Sequence, residues 1–211
     1  MENNILHRKE KLIITTIEII DELGIQGLST REIARRQGVS EATLFRHYKS
    51  KNELLSAVLD YFSQFDEDIF LSTRMKSLAP KEAITYLIKL YSEYYENYPA
   101  ITSIMQVFDV LRCEPVLTEK VKGILNNRYR FIKQLVQDAQ KNNEINPHAD
   151  SEDVADIING FCREICLKWR WDDRVFSLSE RTLSALHMFL EALSQNNNIR
   201  SVKDDEESIN R

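Results

Sequence analysis

Apolar residues recur along this chain at intervals of three and four, and the strict alternation of a half-buried strand is absent, so the pattern is helical throughout. In the first stretch Leu12, Ile13, Thr16, Ile17 and Ile20 share one face of a helix predicted from Ile5 to Leu23, and Gly24 follows where glycine favours a helix end. From Ser50 to about Leu71 the same spacing turns Leu54, Leu55, Val58, Leu59, Phe62, Phe65 and Ile69 inward. Residues 72–80 break it, with Pro80 suited to the first turn of the next helix. Further helices are predicted over Lys81–Asn97, Pro99–Arg112, Thr118–Asn142, Asp150–Trp171 and Ser179–Gln195. The tail, residues 196–211, is polar and acidic and is expected to be disordered.

Between the first two long helices the punctuation is dense. Ser29 with Glu32, and Ser50 with Glu53, have the spacing of capping boxes, in which hydroxyl and carboxylate each satisfy an orphan amide at a helix start. Ser40 caps another short helix running to about Tyr48, and Gly38 ends the helix before it. Two short helices, a small residue in the turn and an exposed second face are what a helix-turn-helix needs to enter a DNA major groove. Charge agrees. Residues 31–51 hold six cations against Glu32 and Glu41, on a chain whose net charge is −5, and a local basic patch is the footprint of phosphate contact. Residues 1–60 as a whole balance nine basic against nine acidic side chains, so the positive charge is confined to a face and long-range attraction to DNA is expected to be modest.

At these residues the chain resembles the TetR family of transcriptional regulators, in Ile33-Ala34, Gly38-Val39-Ser40, Thr43-Leu44-Phe45-Arg46-His47-Tyr48 and Lys51 to Leu54. The resemblance covers about 60 N-terminal residues and implies an all-α fold: a three-helix head with a helix-turn-helix, residues 1–50, and a helical body for ligand binding and dimerisation, residues 51–195. By its motif Thr30, Arg31, Ser40, His47 and Lys51 are placed at DNA phosphates. Ala42 and Thr43, near the start of the second helix, present methyl groups suited to thymine. Glu41 suits either a cytosine N4 amine or the positive end of its own helix. Phe45 stands where relatives commonly carry tyrosine; its ring still stacks on the sugar-phosphate backbone, without the hydroxyl donor.

In the body, Arg128 lies amid Ile124, Leu125, Phe131 and Ile132 on an apolar helix face, where an unpartnered guanidinium is strongly disfavoured. Three readings stand: it meets a carboxylate such as Glu93 or Glu164, it snorkels outward, or it faces a cavity that an anionic ligand completes. Tyr91, Tyr95, Met105 and Phe108 are candidate lining residues around it. Phe131, Phe161, Ile165 and Trp169 are the others, each equally suited to the core. The resemblance implies a small-molecule effector, mostly apolar and, on Arg128, anionic. The apolar stripes of the last two helices are wider than a one-sided helix needs. Ile157, Gly160, Leu186, Phe189 and Leu193 are therefore candidates for a homodimer interface, which would pair two heads like the halves of an inverted-repeat operator on double-stranded DNA.

Composition narrows the remaining classes. Among 211 residues Gly and Pro total nine, and no apolar run approaches the roughly 20 needed to span a bilayer. Met1 to Lys11 lacks a signal-peptide core, so a cytoplasmic place is expected, with no membrane partner. Cys162 and Cys166, four apart, read as buried hydrophobes more readily than as a metal or redox pair, and Cys113 is unpaired in the sequence pattern. Serine-hydrolase, Walker and zinc-protease motifs are absent, so no enzyme, metal or cofactor is expected. The leading function is a ligand-released repressor; the other is a DNA-scaffolded factor whose body binds a second protein.

Overall fold

The computed structural model describes the backbone of residues 2–209 and the side chains of residues 8–194. Every regular element among them is helical: α1 (Glu2–Leu23), α2 (Thr30–Arg36), α3 (Glu41–His47), α4 (Lys51–Met75) and α5 (Pro80–Asn97), then α6 (Ser103–Gln106), α7 (Phe108–Leu111), α8 (Thr118–Lys141), α9 (Ser151–Trp171) and α10 (Leu178–Ile209). Single turns of 3-10 helix cover Ile25–Gly27 and Pro99–Thr102. The polar tail from residue 196 lies outside the described side chains.

Helix ends follow from local chemistry. Asp150 caps α9 by accepting from the Glu152 amide at 2.7 Å. Asn143 ends α8 at φ 56°, and the Glu144 amide reaches back to the Ala139 carbonyl at 2.9 Å, a closure that favours glycine or asparagine. The predicted helix over 99–112 is instead a 3-10 turn and two four-residue helices, because Ser103 and Thr102 hydroxyls bond back to the carbonyls of Ala100 and Pro99 at 2.7 Å. Conversely α4 runs on through Ser72–Met75, with Thr73 buried and its hydroxyl returned to the Ile69 carbonyl at 2.8 Å.

The chain divides into two compact units: residues 1–67 with 98–126, and residues 68–97 with 127–211. The first is larger than the head expected at 1–50, because the first half of α4 is tied to residues 98–126. Phe62 meets Phe108 edge to face at 5.4 Å, and Lys120 reaches the Ser56 hydroxyl and Asp60 carboxylate at 2.7 Å. Leu12, Ile17, Ile33, Leu44, Leu54, Val58, Phe62, Ile101 and Ile104 form its core, each fully or almost fully buried and each contributing roughly 1.5–3 kcal/mol of apolar burial.

In the second unit α10 packs chiefly on α5 and α9, burying Ile84, Leu87, Ile158, Leu186 and Leu190. The start of α10 is capped from a distance. Glu96, in the last turn of α5, accepts from the Leu178 amide at 3.1 Å, the Ser179 amide at 3.3 Å and the Ser177 hydroxyl at 3.4 Å. A carboxylate there satisfies orphan donors and opposes the positive helix end. Glu96→Ala is expected to lower stability by about 1–2 kcal/mol, read as a fall in urea midpoint at unchanged m-value; an unchanged midpoint would show that solvent caps α10 equally well.

Candidate nucleic-acid interface

The turn between α2 and α3 is built first by backbone. Gly38 sits at φ 62°, and its amide and that of Val39 return to the carbonyls of Arg35 and Ala34 at 3.2 and 3.0 Å, closing α2. Ser40 then opens α3, its hydroxyl accepting from the Thr43 amide at 3.2 Å, while Leu44 fixes the helix by complete burial. Tyr48 at the far end is buried, with its hydroxyl donating to the Lys9 carbonyl of α1 at 3.4 Å. Held at both ends, α3 shows Glu41, Ala42, Phe45 and Arg46 to solvent, with Thr43 and His47 half-buried at its edge. Phe45 leaves 44 % of its surface exposed, a large apolar ring in the position expected to meet a sugar.

The polar side chains of the motif are already engaged with one another. Thr30 donates to the Glu41 carboxylate at 2.6 Å, and Arg46 donates to the Thr43 hydroxyl at 3.1 Å. Ser40 and Thr43 hydroxyls lie 3.0 Å apart. Lys51 donates to the Leu28 carbonyl at 2.9 Å, which leaves two further ammonium donors. Arg31 is exposed.

The basic patch is smaller than its count of cations. Glu32 is gripped by Arg35 through two bonds of 2.8 and 2.7 Å and by Arg36 at 2.9 Å, and Arg36 also reaches Glu22 of α1 at 2.7 Å. These bonds, Arg35 first and Arg36 next, hold the Glu32 carboxyl down to about 2. Two of the six cations are thus turned to clamping α2 internally and onto α1. The expected capping boxes are half formed: Ser29 and Ser50 accept from the amides of Glu32 and Glu53 at 3.1 Å. Glu32 looks instead to arginine, and Glu53 accepts from the Lys49 amide at 2.6 Å.

Cations the motif does not name come from α1. Arg8 and Lys11 line a cleft of about 140 Å³ with Leu12, Gln37, Val39, Thr43, Leu44 and His47. Burial first, then Arg8, Lys9 and Arg46, push the His47 imidazole below its ordinary pKa. The signal in the sequence was the three-residue spacing of Arg8 and Lys11 beside the inward Leu12.

The body's candidates are distributed over both units. In the second, Arg128 donates to the Tyr95 hydroxyl at 2.7 Å and its guanidinium lies 4.9 Å from the Tyr91 ring centre. Glu93, offered as a partner, pairs with Lys89 at 3.7 Å, and Glu164 is exposed. Phe131 stacks on Phe70 at 4.2 Å, and Trp169 is buried with its indole N–H on the Phe176 carbonyl at 2.9 Å. Phe161 meets Phe189 at 6.2 Å, and Ile165 is half-buried. Met105 and Phe108 belong to the first unit. Of the dimer candidates, Ile157 is 48 % exposed, Gly160 is exposed with open space about its Cα, Phe189 and Leu193 are half-buried, and Leu186 is fully buried within its own chain. Burial raises the thiols of Cys162 and Cys166 to about 12 and about 11, so both are protonated. No group of three metal-ligating side chains occurs among the described residues, and no described helix is long and apolar enough to cross a membrane.

Residues 12–58 match the family model of bacterial regulatory proteins of the tetR family. That segment has the sequence of a TetR-family DNA-binding domain, with its helix-turn-helix in α2 and α3. It is 38 % identical over 53 residues to the tetracycline repressor protein class C of Escherichia coli, a quarter of this chain and 24 % of that one. The first curated relatives are thus matched over about a quarter of their length. The fold extends further. FadR from Bacillus subtilis in complex with stearoyl-CoA superposes at a TM-score of 0.74 with 19 % identity, over 86 % of this chain and 97 % of that one. A transcriptional regulator from Saccharomonospora viridis in complex with choline does so at 0.76 with 17 % identity, over 88 % and 96 %.

The clamp on Glu32 carries a pH signature. Its folded pKa of about 2 lies below the unfolded value of about 4.3, so its stabilisation is present above about pH 5 and is lost as pH falls through 4 toward 2. Glu32→Gln is expected to shallow that acid limb in thermal melts, with added salt shrinking the difference because Arg35 is solvent-exposed. An unchanged limb would place the acid sensitivity elsewhere.

Proposed function

We propose that this chain is a ligand-responsive repressor that binds a palindromic operator as a homodimer and leaves it when a small, mostly apolar effector enters the body. A cytoplasmic place accompanies that role. The observation that carries the reading is α3: capped at Ser40, pinned by Leu44 and Tyr48, and showing Ala42, Phe45 and Arg46 outward. On DNA, Ala42 and Thr43 meet bases, and Arg31, Ser40, His47 and Lys51 meet phosphates. Thr30 and Glu41 act as a pair, the hydroxyl orienting the carboxylate toward a base edge. A second copy covers Ile157 and Gly160 on α9 together with Met188 of α10, which leaves 71 % of its surface exposed. Apolar side chains on two adjacent helices are the form a two-fold bundle takes.

Arg128 is the effector's anchor in this reading. Its guanidinium is held between two tyrosines, a cation–π contact on one side and a hydroxyl on the other, in an aromatic setting suited to an apolar molecule with an acidic end. The fold's likeness to a regulator seen with stearoyl-CoA supports an acyl compound.

Sequencing the genomic DNA fragments retained by purified protein, with sedimentation of the same sample, tests the whole reading; inverted repeats and a dimer are expected. A monomer without sequence preference would remove it. On the recovered operator, Lys51→Ala should weaken all sequences alike and flatten the salt slope by about one unit. Thr43→Ala should relax one base position by roughly 1–3 kcal/mol. Arg128→Met should abolish release by acyl effectors while leaving operator affinity unchanged; full release in that variant would free Arg128 of the ligand role.

A further inference from the structure

We propose that the cleft between α1 and α3 seats a backbone phosphate of the bound DNA, making α1 part of the interface through Arg8 and Lys11; this rests on the DNA-binding reading above. The motif residues of α2 and α3 leave α1 without a role at DNA. The walls of the cleft suggest one. Arg8, Lys11 and His47 offer nitrogen donors, Thr43 and Gln37 add neutral polar groups, and no carboxylate is among the described residues that line the space. A cleft of about 140 Å³ accommodates a phosphate with a few waters. Charge complementarity thus selects an anion, and the most abundant anion beside a helix lying in a major groove is the flanking phosphodiester.

The cleft's position agrees independently. Thr43 and His47 are one turn apart on the half-buried edge of α3, beside the exposed Phe45 and Arg46. The cleft therefore borders the face that enters the groove. Its other wall is tied to α3, because the Tyr48 hydroxyl donates to the Lys9 carbonyl and the Lys9 ammonium lies 5.7 Å from the Tyr48 ring centre. Arg8 and Lys11 flank that anchor, so their donors are carried to α3 by a fixed helix and not by a loose arm.

The site has a second signature in protons. His47 faces Arg8, Lys9 and Lys11 from α1 and Arg46 from its own helix, while the turn between α2 and α3 contributes only the neutral Gln37 and Val39. In the free protein burial, and after it this cationic company, disfavours the imidazolium. An entering phosphate reverses the local field and favours the imidazolium. Binding then takes up a proton, and affinity rises as pH falls below about 7, levelling once His47 is protonated in the free protein too.

The test uses the full chain and a fluorescein-labelled, mixed-sequence duplex of about 30 base pairs, long enough for two half-sites a turn of about 10 base pairs apart. Anisotropy titrations over a series of KCl concentrations, and over about pH 6 to 8, compare the unaltered protein with Arg8→Gln/Lys11→Gln, His47→Gln and Arg31→Gln. All the altered side chains are at least partly exposed, and thermal midpoints confirm folding; Lys11→Gln alone serves if the double variant melts early. The double variant should lose about one unit of salt slope per head and roughly fivefold in affinity per head at about 0.15 M salt. His47→Gln should erase the gain in affinity at low pH. Inorganic phosphate at matched ionic strength should not rescue or mimic these effects. Wild-type slope and affinity in the double variant, or undiminished pH dependence in His47→Gln, overturns the proposal. If Arg31→Gln alone is impaired, the DNA reading stands without α1. If the unaltered protein binds no duplex, both fall. Equal competition by phosphate at matched ionic strength assigns the cleft to free anions and overturns the DNA assignment.

Discussion

Two helices of seven residues each, α2 and α3, are too short to persist alone, because nucleating a helix fixes several residues before its hydrogen bonds offset the lost entropy. Their existence depends on satisfied ends. Ser29 and Ser40 each supply one hydroxyl to an amide three places on, and Gly38 lets the α2 carbonyls find partners in the turn. Burial of Ile33 and Leu44, both completely inside, then fixes the pair against α1. Everything attributed to the outward face of α3 presupposes these few bonds.

Electrostatics in the head is settled between near neighbours. Arg35 and Arg36 converge on Glu32, and Arg36 also on Glu22, so two cations that look available for DNA serve the geometry of α2. Arg31, at the solvent, is left for a partner, and α1 adds cations from outside the motif. Polar groups expected at DNA are pre-arranged by mutual bonds, such as Thr30 on Glu41 and Arg46 on Thr43. Such bonds narrow the rotamers that must be fixed on binding.

The fold was legible where periodicity and punctuation agree. Long faces such as Leu54 to Ile69, and the serines before α2, α3 and α4, fixed those helices in the sequence to within a few residues. Residues 99–112 misled because their apolar spacing is helical while Thr102 and Ser103 pull the backbone into tighter turns. The compact units also escaped the sequence, since the pairing of Phe62 with Phe108 links positions far apart in the chain. At the candidate interface the motif located the outward residues of α3, but the fate of each charge depended on neighbours it does not encode. Glu22 on α1 is the plainest case. In the body, Arg128 stood out by pattern, and its tyrosine partners from α5 emerged only in three dimensions.

Gly38 shows how little room and tolerance have to do with each other. A methyl group added there would touch nothing within 4 Å, yet the backbone stands at φ 62°. The constraint at this position is therefore one of handedness alone: asparagine, bulkier but at ease in that region, should survive where alanine is disfavoured.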